Sequence, residues 1–113
     1  MPINSRQKGK NGELELAHVL QGYGYDVHRS VQYSGANHDA DLYGMDGYHI
    51  ECKRVEKLNI DTAIEQSIRD ARENEIPIVC HRKNRKEWLV TIRLKDFMEV
   101  VDGKDRESGP KET

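Results

Sequence analysis

Asp41, Glu51 and Lys53 are the residues of this chain whose types and spacing can do chemistry on a phosphodiester. Side chains alternate along a strand, so Glu51 and Lys53 share one face with His49, while Tyr48, Ile50 and Cys52 share the other. By itself an E-x-K triplet also describes an ordinary solvated strand face carrying an ion pair. Asp41 decides how the triplet is read. A three-residue loop of Met45, Asp46 and Gly47 pairs Gly44 with Tyr48 and Asp41 with Glu51, and Gly47 supplies the left-handed residue that ends such loops. A two-residue Asp46-Gly47 loop would turn Asp41 away instead. In the three-residue register two carboxylates face each other about 5 Å apart across the strands, with Lys53 two residues further on. Close carboxylates raise each other's pKa unless a cation sits between them. All-oxygen ligation suits magnesium or manganese rather than zinc. Such an ion can hold a phosphodiester oxygen and acidify a water, and a nearby ammonium can orient that water or stabilise developing charge.

Glu13 is the other misplaced carboxylate. Residues 13, 16, 17 and 20 share one helix face, so Glu13 lies on the apolar stripe of Leu16, Ala17 and Leu20 while Glu15 points to the other side. A carboxylate there is costly unless it is paired, metal-bound or at a cleft. In the first turn of a helix it would also reach water and favour the helix dipole. Both accounts stand at this point.

These residues need elements to carry them. Residues 1–10 are polar and basic and read as a loose arm. Residues 12–21 follow a helical period that Gly22 and Gly24 end. Residues 25–31, 40–44 and 48–53 read as strands, with a polar loop over 32–39. Asn59 can cap a second helix whose stripe is Ile60, Ala63, Ile64, Ser67, Ile68 and Ala71. Residues 76–81 and 87–92 read as two further strands, residues 94–101 as a short helix, and residues 102–113 as a disordered tail. The order predicts an α/β domain over 11–101, with a mixed central sheet of about five strands flanked by helices, and a crossover helix between the third and fourth strands.

Composition bounds the rest. The chain has 113 residues, enough for one small domain, with 18 basic and 20 acidic residues and a formal net charge of −2. Six basic residues against one acidic fall within 76–95. The run from His81 to Lys86 holds four of the six, and reads either as a solvated turn or as a local polyanion patch. No apolar run reaches the roughly 20 residues of a membrane helix. The first residues hold no apolar signal core, and Cys52 and Cys80 form no CxxC pair, so a reducing cytosol is the expected compartment. The histidines at 18, 28, 38, 49 and 81 have no zinc-site spacing. No glycine loop suits a nucleotide cofactor. Cys52 on an apolar strand face reads as a buried structural thiol rather than a nucleophile.

Asp41, ten residues, then Glu51-Cys52-Lys53, after a helix bearing Glu13, resembles the PD-(D/E)XK nuclease superfamily. Residues 8–16, the Gly24-Tyr25 step, Arg29-Ser30 and the Ser34 loop are similar, in order, to archaeal-type Holliday junction resolvases. Residues 35–41, 49–59, 81–84 and 87–91 are similar to small phage-encoded members of that family. The resemblance spans about residues 8–100. It implies a restriction-endonuclease-like three-layer fold and a homodimer that nicks opposed strands of a four-way DNA junction. It further implies a magnesium or manganese ion held by Asp41, Glu51 and the Cys52 carbonyl, with Glu13 as a further carboxylate, Lys53 as the catalytic lysine and Gln66 as a glutamine of the following helix. Arg6, Lys8, Lys10, Arg29, Ser30, Ser34, Arg54, Arg82, Lys83, Arg85 and Lys86 would contact DNA. A phage-encoded protein would work in the host cytoplasm. Ala40 stands where the superfamily often has proline. The same residues also fit a nuclease for other branched or nicked DNA, or a non-catalytic DNA-binding module.

Overall fold

A computed structural model describes residues 5–30 and 40–108, with side chains over 7–30 and 40–103. Ser34 and the whole loop expected over 32–39 lie outside the described residues. The elements run α1 (Ser5–Gly22), β1 (His28–Arg29), β2 (Leu42–Tyr43), β3 (Tyr48–Arg54), α2 (Ile60–Asp70), β4 (Ile76–Arg82), β5 (Leu89–Ile92) and α3 (Leu94–Ser108). They build one five-stranded mixed sheet in the order β1-β2-β3-β4-β5. Only β3 and β4 are parallel, and α2 makes the crossover between them, as expected from the sequence.

The alternation of β3 sorts the two faces. Ile50 and Cys52 join Leu16, Ala17, Val27, Leu42, Ile78 and Cys80 in the core under α1. Burying each larger aliphatic side chain contributes about 1.5–3 kcal/mol. His49 and Glu51 point to the opposite face, where Ser67 of α2 donates its hydroxyl to His49 O and Ile78 O. Asn59 caps α2 by accepting from Thr62 N–H at 3.0 Å. Ala63 and Ser67 of its expected stripe are buried, while Ile68 sits at the margin, 36% exposed.

Both terminal helices are longer than their apolar periods. α1 starts at Ser5, so residues 5–10 are helical rather than a loose arm. Periodicity is silent there because the side chains of residues 7–10 are exposed and face no core. A helix already nucleated extends by one hydrogen bond per added residue, and Gln7 Nε2 donates to Asn11 Oδ1 four positions on. α3 continues to Ser108, through part of the expected tail. Strands β1 and β2 are short, two residues each.

The β2–β3 register is the one that requires the three-residue loop: Leu42 pairs with Ile50. Gly47 has φ of 89° in the left-handed region, and Tyr48 N–H donates to Met45 O at 3.2 Å. Gly44, at φ of 119°, abuts the backbone of Asp26 so closely that no side chain fits. Asp41 is held on both sides. Its N–H donates to Ile50 O and its carbonyl accepts from Ser30 N–H, both at 2.9 Å.

Gly12 sets how closely α1 crosses β3. A methyl group there would lie 2.5 Å from Arg54 Cβ, whereas one on Gly9 would meet nothing. Alanine normally stabilises a helix interior relative to glycine by roughly 0.5–1 kcal/mol. Gly9→Ala is therefore expected to raise the urea midpoint. Gly12→Ala is expected to lower it, by about 1–3 kcal/mol of stability, because overpacking outweighs propensity. Equal shifts in the two variants would contradict the close approach.

Candidate active site

Asp41, immediately before β2, lies against β3, the strand that carries Glu51, Cys52 and Lys53. Its carboxylate accepts from Cys52 N–H at 2.8 Å. Burial is the largest influence on it and pushes its pKa from 3.8 up to about 7. Glu51 and then Glu13 add repulsion, and the Cys52 N–H and the Lys53 ammonium oppose the rise. The carboxylates of α1 and β3 and the ammonium of β3 therefore converge electrostatically on one group.

Each of the other two carboxylates has a cationic or donor partner. Glu13 Oε1 accepts from Arg29 Nε at 2.7 Å, which ties α1 to β1. Glu51 is fully buried, and its Oε2 lies 2.8 Å from His49 Nε2. Burial works against charge on the His49 ring. The bond to Glu51 and the charges of Glu51, Glu75 and Asp70 outweigh it, so the ring's pKa rises. Lys53 Nζ donates to Gln66 Oε1 of α2 at 3.4 Å, so the expected lysine and glutamine are brought together. Cys52 and Cys80 are buried free thiols, both pushed up by burial, Cys80 to about 12. Neither suits a nucleophile.

Among the described residues, no three His, Cys, Asp or Glu side chains gather into a group that could hold a metal ion. The donor chemistry still fits a hard cation. Magnesium uses one or two protein carboxylates and completes its shell with water and phosphate. A carboxyl raised by burial, and further by neighbouring carboxylates, is the environment a divalent cation would relieve.

The expected DNA contacts fall into two groups. Lys8 and Lys10 on α1, and Lys83, Arg85 and Lys86 in the β4–β5 turn, are exposed. Arg85 adopts φ of 63° in that turn. The turn borders a groove of about 1060 Å³, whose other wall includes Lys57 and Asn59. Arg54 and Arg82 are instead engaged within the chain. Arg54 Nε donates to Glu15 Oε1 at 3.1 Å and its Nη1 to Asn84 Oδ1 at 2.8 Å. Arg82 donates to Glu15 Oε2. Sequence reasoning assigns Glu15 no role. Its clue is only that an acidic residue shares a helix with Glu13, and nothing local to α1 shows that two arginines of β3 and β4 reach it. Ser30 contributes its backbone N–H to Asp41 O. Arg6 lies within α1, outside the described side chains.

In EDTA, stability should follow the protonation of Asp41. A carboxyl whose folded value lies above its unfolded one favours the fold fully below about pH 4, and that contribution is lost as pH rises through about 7. Asp41→Asn keeps an acceptor for Cys52 N–H without the charge. It is expected to be more stable than the unsubstituted protein by roughly 2–4 kcal/mol at pH 8, with the gain gone at pH 4. Urea unfolding at both pH values measures this, and a pH-independent difference would contradict it.

The sequence profile of a family described as "phage putative PDDEXK endonuclease" matches residues 4–109. No protein of curated function matches the sequence. Among solved structures, the fold is similar to that of Hjc, a Holliday junction resolvase from the hyperthermophilic archaeon Archaeoglobus fulgidus. The TM-score is 0.57 at 22% identity, over 75% of this chain and 72% of that one. That likeness establishes the restriction-endonuclease-like fold. With that profile spanning nearly the whole sequence, the chain belongs to the phage PDDEXK endonuclease family.

Proposed function

We propose that this nuclease is a divalent-cation-dependent, structure-specific DNA endonuclease that cuts four-way junctions by paired nicks. The observation that carries the reading is the β2–β3 register, which sets the Asp41 carboxylate against the Cys52 N–H, between Glu51 and Lys53 on β3. Asp41, Glu51 and the Cys52 carbonyl would hold magnesium or manganese, which when bound neutralises charge on the phosphodiester and acidifies water. Lys53, steadied by Gln66, places a positive charge where negative charge develops on the phosphate. Glu13 adds a carboxylate from α1 and keeps Arg29 beside the site. Lys8, Lys10, Lys83, Arg85 and Lys86 supply phosphate contacts around it.

Junction specificity rests on the sequence resemblance and on the fold shared with Hjc, itself a Holliday junction resolvase. A four-way junction has two-fold symmetry, so two coordinated cuts suit an isologous homodimer. Sedimentation showing only monomer while paired nicking persists would remove the dimer.

The deciding experiment compares a synthetic four-way junction with a linear duplex of the same arm sequence, in magnesium, manganese or EDTA. Symmetric nicks in the junction alone, lost in EDTA and in Asp41→Asn, are expected. Lys53→Met should lower the cleavage rate by about 10²–10³ while leaving junction binding intact. Equal cutting of duplex would remove the junction specificity, and tight binding without cleavage in either metal would favour a binding module. Replacing Lys83, Arg85 and Lys86 together by alanine should weaken junction binding and flatten its salt dependence, by up to about one log–log unit for each phosphate no longer neutralised.

A further inference from the structure

His49 stands two residues before Glu51 on the same face of β3, and both side chains are 2% exposed. A buried carboxylate is costly unless its oxygens are bonded. His49 Nε2 meets that need for Glu51 Oε2 at 2.8 Å. The ring is itself braced. Its Nδ1 lies 3.6 Å from Glu75 Oε1, in the turn that leads into β4. That same Glu75 oxygen accepts from Arg72 N–H at 2.9 Å, so the carboxylate is anchored to its own turn. The backbone of His49 is pinned as well, its carbonyl accepting from Ser67 Oγ of α2. Strand, crossover helix and turn thus combine to fix one imidazole against one oxygen of Glu51. A solvated strand face would need none of this.

We propose that His49, braced by Glu75, is a positioning residue for Glu51. By holding one carboxylate oxygen it sets the orientation in which the other is offered to a divalent cation. This rests on the reading of Glu51 as a cation ligand. Partners of this kind orient metal-binding groups, and their loss typically weakens metal affinity roughly 10–100-fold.

The test is manganese binding to DNA-free protein, followed by the EPR signal of the free ion. It is run at a temperature where circular dichroism shows each variant folded. The unsubstituted protein should bind. His49→Leu, which leaves Glu51 without its donor, should bind roughly 10–100-fold more weakly. His49→Gln, whose amide can donate to Glu51, should recover part of the loss, and Glu75→Gln should weaken binding by a smaller factor than His49→Leu. A purely structural His49 would lower the melting temperature in EDTA and leave manganese affinity unchanged in every folded variant, which would overturn the proposal. If His49→Leu does not fold, Glu75→Gln decides by the same criterion. Failure of the unsubstituted protein to bind manganese would instead overturn the cation reading of the site, and this proposal with it.

Discussion

The crowding of half-buried and buried carboxylates around Asp41 is the constraint around which this domain is arranged. Asp41, Glu51 and Glu13 come from three different segments, and burial first, then repulsion from the other two, pushes the Asp41 carboxyl up to about 7. Folding selects against such crowding unless compensation is built alongside. Here the compensation is distributed. Arg29 takes Glu13, His49 takes Glu51, and Asp41 receives the Cys52 N–H and the field of Lys53. Among the described residues, no single partner bonds to all three carboxylates.

The scaffold serves this arrangement through contacts far apart in sequence. α1 crosses β3 closely because Gly12 has no side chain to meet Arg54. The same crossing carries Glu13 toward Asp41 and Glu15 toward Arg54 and Arg82. On the opposite face, Ser67 of α2 bonds to the backbone of both β3 and β4 and locks the parallel pair whose β3 strand carries Glu51 and Lys53. Shifting the β2–β3 pairing by one residue would turn Asp41 to the wrong face. Gly44 and Gly47 hold that register through backbone conformations that other residues rarely adopt.

Positive charge is divided between structure and surface. Arg29, Arg54 and Arg82 are ion-paired to α1, and so act first as braces between the helix and the sheet. The lysines of α1 and the β4–β5 turn are exposed, as the proposed phosphate contacts require. This division reconciles a net charge of −2 with a polyanionic substrate, since the groups that meet DNA need only local excess.

Much of this was legible in the sequence, because periodicity and spacing are local properties. The strand alternation of 48–53 and the Asn59 cap followed from short-range rules, and the family resemblance pointed to a nuclease. The choice between a two- and a three-residue loop, hence the facing of Asp41 and Glu51, waited for the β2–β3 register. The helical residues 5–10 and 102–108 were not legible, since apolar period marks only the helix surface that faces a core. The two readings of Glu13 needed the tertiary structure, which places Arg29 against it from sixteen residues away. The engagement of Arg54 and Arg82 by Glu15, and of His49 by Glu75, was equally invisible. Sequence by itself determined which residue types stand on which face of which element. Only the tertiary structure decided which charges neutralise one another, because that depends on distances between segments that no local spacing encodes.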